Sequence, residues 1–400
     1  MPDIADQLSI TTRRYIDTNP ELRDMIFNHD ATMSLIGEEC HEEVAGGLNW
    51  NDNVMYDVQD GGPYAKGQDL LADQRQIEQA LQFVPKLNVV MIPFYMEDIN
   101  VFNVNGSPEQ IVSLVAERTD AAFVQMGAQA ALQRYLQGQT ADYIKFPNGL
   151  AEASNDGVAV SWDGRSYPVY GTLTRSLYGG RILAPAPYNF AGGSLSVPVL
   201  EKLYQSVNFG SGKYEPNIIT TTAVGQGIIR INFQTQQRFQ NVTTAKGGFR
   251  GLEYNAAVIF ASRYAPGSYL MNGPNGVSTN PTTVPNTNGT NDRVAMRMLQ
   301  WATGNTAAAY PAPTNMWGDG MGGGGPGSGG FVFGESIWVE NVRKPMVKYR
   351  TSRNRPFNGS LDTNGFIPSA VSTKLVGKVL LAHNFTFLPG YVAHGYNFQS

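Results

Sequence analysis

The chain has 400 residues, 42% hydrophobic and only 16% charged, with 44 glycines, 19 tyrosines and a formal net charge of −4. That length allows one large domain or two to three ordinary ones, and the slightly acidic balance excludes a dedicated nucleic-acid binder with a strongly basic face. The single cysteine, Cys40, excludes a disulfide framework within the chain. A charged fraction well below the usual level of about a quarter leaves two readings open. Either much surface is buried against other subunits, where charges are depleted and tyrosine is enriched, or the protein is loop-rich and secreted. The polar start MPDIADQLS is no signal peptide, and no apolar run reaches membrane-spanning length. Synthesis in a reducing cytoplasm without a membrane partner is expected. The Asn-x-Ser/Thr triplets at Asn105, Asn241, Asn288, Asn358 and Asn384 then read as chance matches.

Residues 1–36 read as an N-terminal arm with short helices, one capped by Asp3 or Asp6 and one opened by Asn19-Pro20-Glu21. Residues 37–93 read as an extended hairpin: strand-like runs at 53–58 and 87–92 flank a polar tip punctuated by Asp60-Gly61-Gly62-Pro63 and Gly67. A two-stranded projection is unstable alone in water, so it needs a surface outside its own domain. A long helix is expected over 107–138, with Ser107 as N-cap, Pro108 at the first helical position, Gln110 completing a capping box and Gly138 as C-cap. It would be roughly 45 Å long. Its first half is amphipathic, and its second half (121–132) is small or apolar nearly all round, so it must be covered on several sides.

A β-rich segment over 142–183 follows, with turns at Asp156-Gly157 and Asp163-Gly164, and Ala191-Gly192-Gly193 reads as a hinge. Next come a helix over 197–207 capped by Ser196, a buried strand over 217–221, a helix over 223–233 weakened by Gly225 and Gly227, and a strand pair over 252–262. Residues 273–330, rich in Gly, Asn, Thr and Pro, read as an inserted surface loop. Strand text resumes over 331–339, and 371–387 is expected to pair back into the early strands, making the middle a domain inserted within another.

Little here points to catalysis. Cys40 and His41 lack a second ligand at metal spacing, so a buried structural cysteine is expected. The histidines 29, 41, 383 and 394 form no triad pattern. The stretch 209–214, FGSGKY, departs from a phosphate loop where Tyr214 replaces the magnesium-binding Ser or Thr, and reads as a turn. Glu38-Glu39 and Glu42-Glu43 read as solvated pairs. Arg343, Lys344, Lys348, Arg350, Arg353 and Arg355 form a basic cluster with no carboxylate between them. It suits phosphate, an acidic strip on a neighbouring subunit (Asp57, Asp60, Asp69 and Asp73), or, equally, a solvated loop with local counter-ions.

The segments VPVLEKLYQS (197–206), PNIITTTAVGQGIIRINFQTQQRF (216–239) and GGFRGLEYNAAVIFASRYAPGSYLMN (247–272) together resemble the axial domain of tailed-bacteriophage major capsid proteins of the Hong Kong 97 fold. The resemblance implies an α+β capsid fold: an N-terminal arm (1–36), an extended loop (37–93), a peripheral domain with a spine helix (94–192), an axial domain (193–350) carrying the insertion 273–330, and a C-terminal return to the peripheral domain (351–400). It implies a non-enzymatic shell protein without cofactors, which associates with itself in hexamers and pentamers of an icosahedral head in the virion. Implied partners are scaffolding and portal proteins, a decoration protein and non-specifically held double-stranded DNA. Expected interface residues are Tyr56, Asp60, Tyr64 and Lys66 on the extended loop and Gln236, Gln237, Arg238 and Phe239 in the axial domain. Phe123, Met126, Leu132 and Tyr135 are expected in the core. Two rivals stand beside this reading: an encapsulin-like nanocompartment with protein cargo, and a β-rich hydrolase.

Overall fold

The computed structural model describes residues 30–55, 63, 78–95, 108–139, 146–162, 166–177, 184–191, 193–208, 210, 212–235, 242–244, 250–262, 264–266, 335–352, 367–368 and 374–398. Asp30 caps helix α1 (Ala31–Leu35), its carboxylate accepting from the Thr32 N–H at 3.3 Å. The helix widens into a π-turn over Ile36–Cys40 and passes directly into strand β1 (His41–Val44). The N-terminal helices expected before residue 30 lie outside the described residues.

Strand β2 (Trp50–Met55) pairs antiparallel with β3 (Glu78–Phe83), in register from Trp50 opposite Phe83 to Met55 opposite Glu78. This corrects the expected hairpin, whose return strand is 78–83 rather than 87–92. In β3 only Leu81 and Phe83 point into the core, with Gln82 outward between them, as a half-covered strand requires. The near-continuous apolar run of β4 (Lys86–Tyr95) instead suits a strand inside a larger sheet. It pairs with β15 (Lys374–Phe387) from Lys86 opposite His383 to Tyr95 opposite Lys374. The expected return of the late strands to the early ones is therefore present.

Helix α2 (Pro108–Gln133) has 26 residues and is about 39 Å long. Thr119, Ala122, Phe123, Met126 and Ala130 recur at helical spacing and are buried, and each large apolar side chain so covered stabilises by roughly 1.5–3 kcal/mol. From Met126 onward burial extends round most of the helix, as its composition predicts. It packs on β4 and β15. The helix stops before Gly138: Tyr135 N–H bonds Leu132 O at 3.0 Å and Leu136 N–H bonds Gln133 O at 3.1 Å, tightening the last turn. Gly138 serves close packing instead of capping, since any Cβ there would overlap the Phe146 carbonyl oxygen.

Among the described residues of the segment 142–183 there is less sheet than its alternation suggests. Its described part holds the short helix α3 (Leu150–Ala153) and a minimal hairpin of β5 (Val169–Tyr170) and β6 (Leu173–Thr174). The Asp156-Gly157 turn forms, with Gly157 at φ +88 and the Asp156 carboxylate accepting the Ala159 N–H at 2.7 Å.

Among the described residues, two mixed sheets carry the chain. The first joins β1, β13 (Val347–Ser352), β15 and β14 (Ile367–Pro368), with β4 on the other side of β15. The second has seven strands in the order β7 (Tyr188–Asn189), β16 (Val392–Phe398), β12 (Glu335–Glu340), β8 (Ile218–Thr221), β11 (Ala257–Ala261), β10 (Arg250–Tyr254), β9 (Val242–Thr244). The expected return of 351–400 is thus divided, because β15 joins the first sheet while β16 joins the second. Helices α4 (Val197–Ser206) and α5 (Ala223–Thr235) cover the second sheet, burying Leu200, Leu203, Tyr204, Ile228 and Ile229 against Ile219, Ile259, Ile337 and Val339. Gly225 does not break α5. A Cβ at that position would overlap Thr221 Oγ1, so glycine lets the helix lie close to the sheet. Phe123, Met126, Leu132 and Tyr135 all lie in the core between α2 and the sheets, as expected.

Candidate functional site

Two clusters of charged side chains organise the described structure, and both tie distant stretches of sequence together. The first sits under the hairpin. In β2, side chains alternate, so Asp52 faces the body while Asn51 and Asn53 turn away. Arg350 of β13 grips Asp52 with both terminal nitrogens, at 2.7 and 2.6 Å, and Lys348 reaches the same carboxylate. The Arg350 Nε lies 3.3 Å from Glu42 of β1, the strand that runs parallel to β13 in the register Glu42 to Arg350. Burial works against the Arg350 charge, but the Asp52 and Glu42 carboxylates together more than offset it and hold the guanidinium above its ordinary value. Lys344 lies 3.6 Å from Glu42 and donates to the His41 carbonyl at 3.2 Å. Arg343 donates to the carbonyls of Gly212 and Glu215, at 3.1 and 2.9 Å.

These four members of the basic cluster therefore have anionic or carbonyl partners in their own chain. Lys348 and Arg350 fasten the hairpin to the first sheet, as local counter-ions would. Arg353 and Arg355 lie outside the described residues, as do Tyr56, Asp60, Tyr64 and Lys66 between β2 and β3 and Gln236, Gln237, Arg238 and Phe239 after α5. Sequence reasoning missed Asp52 and read Glu42 as solvated. The available signal was the run of cations itself, since part-buried cations require carboxylates from somewhere in the fold.

The second cluster sits where α2 ends. Gln133 and Asn88 of β4 exchange side-chain hydrogen bonds, both at 2.7 Å. The next residue, Arg134, is completely buried and forms an ion pair with Glu340, equally buried at the end of β12. Burial pushes the Glu340 carboxyl up and Arg134 pulls it back. The net effect leaves Glu340 above its ordinary value, while the guanidinium stays protonated across the accessible pH range. Arg134 also donates to the Tyr135 hydroxyl at 3.3 Å, and the Tyr135 ring lies 4.9 Å from that of Trp338.

Other chemistry-bearing groups are locked into packing. Burial pushes the Cys40 thiol up to about 12, leaving it protonated and poorly nucleophilic. His383 and His394 are fully buried, and desolvation lowers each to about 3. His394 is stacked on Trp338, with ring centroids 4.7 Å apart. Glu152 is buried and raised by desolvation, and it accepts from the Gly138 N–H at 2.8 Å and the Asn148 amide at 3.1 Å. Asn384 is buried as well, its Oδ1 accepting the Asn148 N–H at 2.9 Å, which is incompatible with a sugar there. An open groove of about 480 Å³ between β3 and the β6 turn is lined by Glu78, Ala80, Gln82, Thr172, Thr174 and Leu177. It brings together amides, hydroxyls and one carboxylate, with no nucleophile and base side by side. Among the described residues, no three His, Cys, Asp or Glu side chains converge as a metal site, and no helix is long and apolar enough to cross a membrane.

No protein-family model matches the sequence, and no curated protein matches it either. Solved structures do. A subunit of the cyanophage A-1(L) capsid superposes with a TM-score of 0.52 at 9% identity, covering 92% of this chain and 93% of that one. The SrpI encapsulin of Synechococcus elongatus gives 0.48 at 9% identity, with 92% and 87% covered. The capsid of an empty GTA particle gives 0.48 at 9% identity, with 92% and 90% covered. The described architecture is thus shared with the cyanophage capsid subunit nearly end to end, and the chain has a Hong Kong 97-like capsid fold.

Proposed function

We propose that this chain is the major capsid protein of a tailed bacteriophage, which assembles with copies of itself into hexamers and pentamers of an icosahedral head around double-stranded DNA. The observation that carries this reading is the fold shared with the cyanophage A-1(L) capsid subunit over almost the full length of both chains. On this reading α2 and the first sheet form the peripheral domain, while the seven-stranded sheet with α4 and α5 forms the axial domain. The hairpin that starts at β2 and β3 is the extended loop. Its base is clamped to its own chain through Asp52.

Function is then a sum of contacts between copies, with no catalytic step. Tyr56, Asp60, Tyr64 and Lys66 would meet the neighbour under the loop, and Gln236, Gln237, Arg238 and Phe239 would meet it about the capsomer axes. Contact with DNA would be weak, sequence-independent and salt-sensitive, through inward-facing cations against phosphates. Scaffolding, portal and decoration proteins are the expected partners, and assembly in the host cytoplasm is the expected setting.

Negative-stain imaging of the purified full chain tests the proposal. Closed shells, tubes or ring-shaped capsomers are expected; a uniform small monomer at high concentration would overturn it. Shells that co-purify with a dedicated protein cargo, from a gene with no portal or terminase gene beside it, would overturn the viral part alone.

A further inference from the structure

The two sheets are connected by two short crossings that lie side by side. Residues 341–346 lead from β12 to β13, and residues 388–391 lead from β15 to β16. They are stitched together by Asn341 N–H to Tyr391 O at 3.1 Å and by Leu388 N–H to Met346 O at 2.7 Å. A pair of adjacent linkers behaves as a hinge, constraining separation while leaving rotation of one body against the other. Removing that rotation takes a contact from an element that belongs to neither linker. The end of α2 is such an element. Gln133 holds Asn88 in the first sheet, and Arg134, its neighbour in sequence, holds Glu340 in the second.

We infer that Gln133 and Arg134 act together as a pin that fixes the angle between the two sheets. The ring of Tyr135 on Trp338 resists separation across the same junction but tolerates sliding, while its hydroxyl, hydrogen-bonded to Ser262 beside β11, belongs with the directional contacts at the end of α2. The Gln133–Asn88 exchange and the guanidinium–carboxylate contact are directional. A buried ion pair is a poor means of gaining stability, because well-packed apolar residues of similar volume often do as well. Arg134 even leaves its Nε buried without a hydrogen-bond partner. A costly, incompletely satisfied charge at this one point is accounted for by geometry. On the shell-forming reading above, the pinned angle also sets subunit curvature and so keeps particle diameter uniform.

The test is a distance measurement in the full chain. Nitroxide labels are attached at Leu87→Cys on β4 and Val224→Cys on α5, both exposed positions, and labelled chains are diluted with unlabelled ones. The buried, protonated Cys40 does not compete for label. Pulsed electron paramagnetic resonance is expected to give one narrow distance in the parent chain. In R134M/E340L, which keeps volume and removes both charges, the distribution is expected to broaden at least about twofold with little change in thermal midpoint. Arg134→Lys, which keeps the charge and loses the fork, should fall between. A distribution in R134M/E340L as narrow as the parent overturns the pin. If that variant does not fold, N88L/Q133L releases the other end of the pin and is read the same way. Imaging the same variants tests the curvature clause separately: mixed diameters are expected, and unchanged diameters beside a broadened distance would sink that clause alone. A parent chain that forms no assemblies would sink the capsid proposal and leave the distance experiment intact.

Discussion

Glu340 is held inside the protein only by what surrounds it, so removing its one cation is expected to be severe. Arg134→Met alone should destabilise by about 3–5 kcal/mol, because an uncompensated carboxylate is then left in the interior. Urea unfolding of the dissociated chain measures this loss. The two buried histidines predict a pH dependence. Their folded values, lowered from 6.5 to about 3 by desolvation, mean that the unfolded chain binds protons the native chain refuses. Their contribution is fully present above pH 6.5 and is lost as pH falls toward 3, at about 1.4 kcal/mol per pH unit for each histidine. His394→Phe keeps a ring against Trp338 and should remove one histidine's share of that slope in acid-unfolding curves. A curve of unchanged steepness would contradict the assignment. None of this was legible in advance. A charged residue such as Arg134, set between Gln133 and Tyr135, gives no sign of burial unless its partner two hundred positions away is known.

At the scale of elements, two glycines on one helix predict opposite outcomes. Gly225→Ala sets a methyl against Thr221 and Phe398 and should cost about 1–3 kcal/mol through overpacking. Gly227→Ala meets nothing within 4 Å and should stabilise by about 0.5–1 kcal/mol from helix propensity alone. Thermal midpoints of the two variants decide it. The hairpin gives a second test. Asp52→Asn weakens a bidentate, charge-assisted contact worth about 1.5–3 kcal/mol, so amide exchange should accelerate in β2 and β3 and stay unchanged in β12. Propensity and periodicity were enough to place α2, α4, α5, β8 and the β10–β11 pair, because their apolar spacing and turn residues act locally. They misplaced the hairpin's return strand because 78–83 is only half covered and its polar residues hide the alternation. Gly138 misled for a related reason: its small size serves a close approach of residue 146, which local rules do not see.

For the whole molecule, the 197–272 motifs pointed to the fold, and the cyanophage capsid subunit shares it at 9% identity. Identity so low means that what the two chains have in common is the pattern of burial and connection, with little shared side-chain chemistry. Contacts between copies are proposed to depend on the stretch between β2 and β3 and on the residues after α5. If those contacts carry assembly, Tyr56→Ala with Tyr64→Ala should abolish shells while leaving the thermal midpoint of the isolated chain within about one degree or two; light scattering and calorimetry separate the two effects.

The placement of β15 and β16 bears on how such a protein is made. Each lies between two neighbouring strands, one in each sheet, and both are translated after the other strands are already waiting. A nascent chain halted before residue 374 leaves open edges on β4, β12 and β13 and has neither sheet closed. Prematurely terminated copies would therefore keep unpaired strand edges in both sheets, which makes them prone to aggregate and to be degraded rather than to persist beside finished chains.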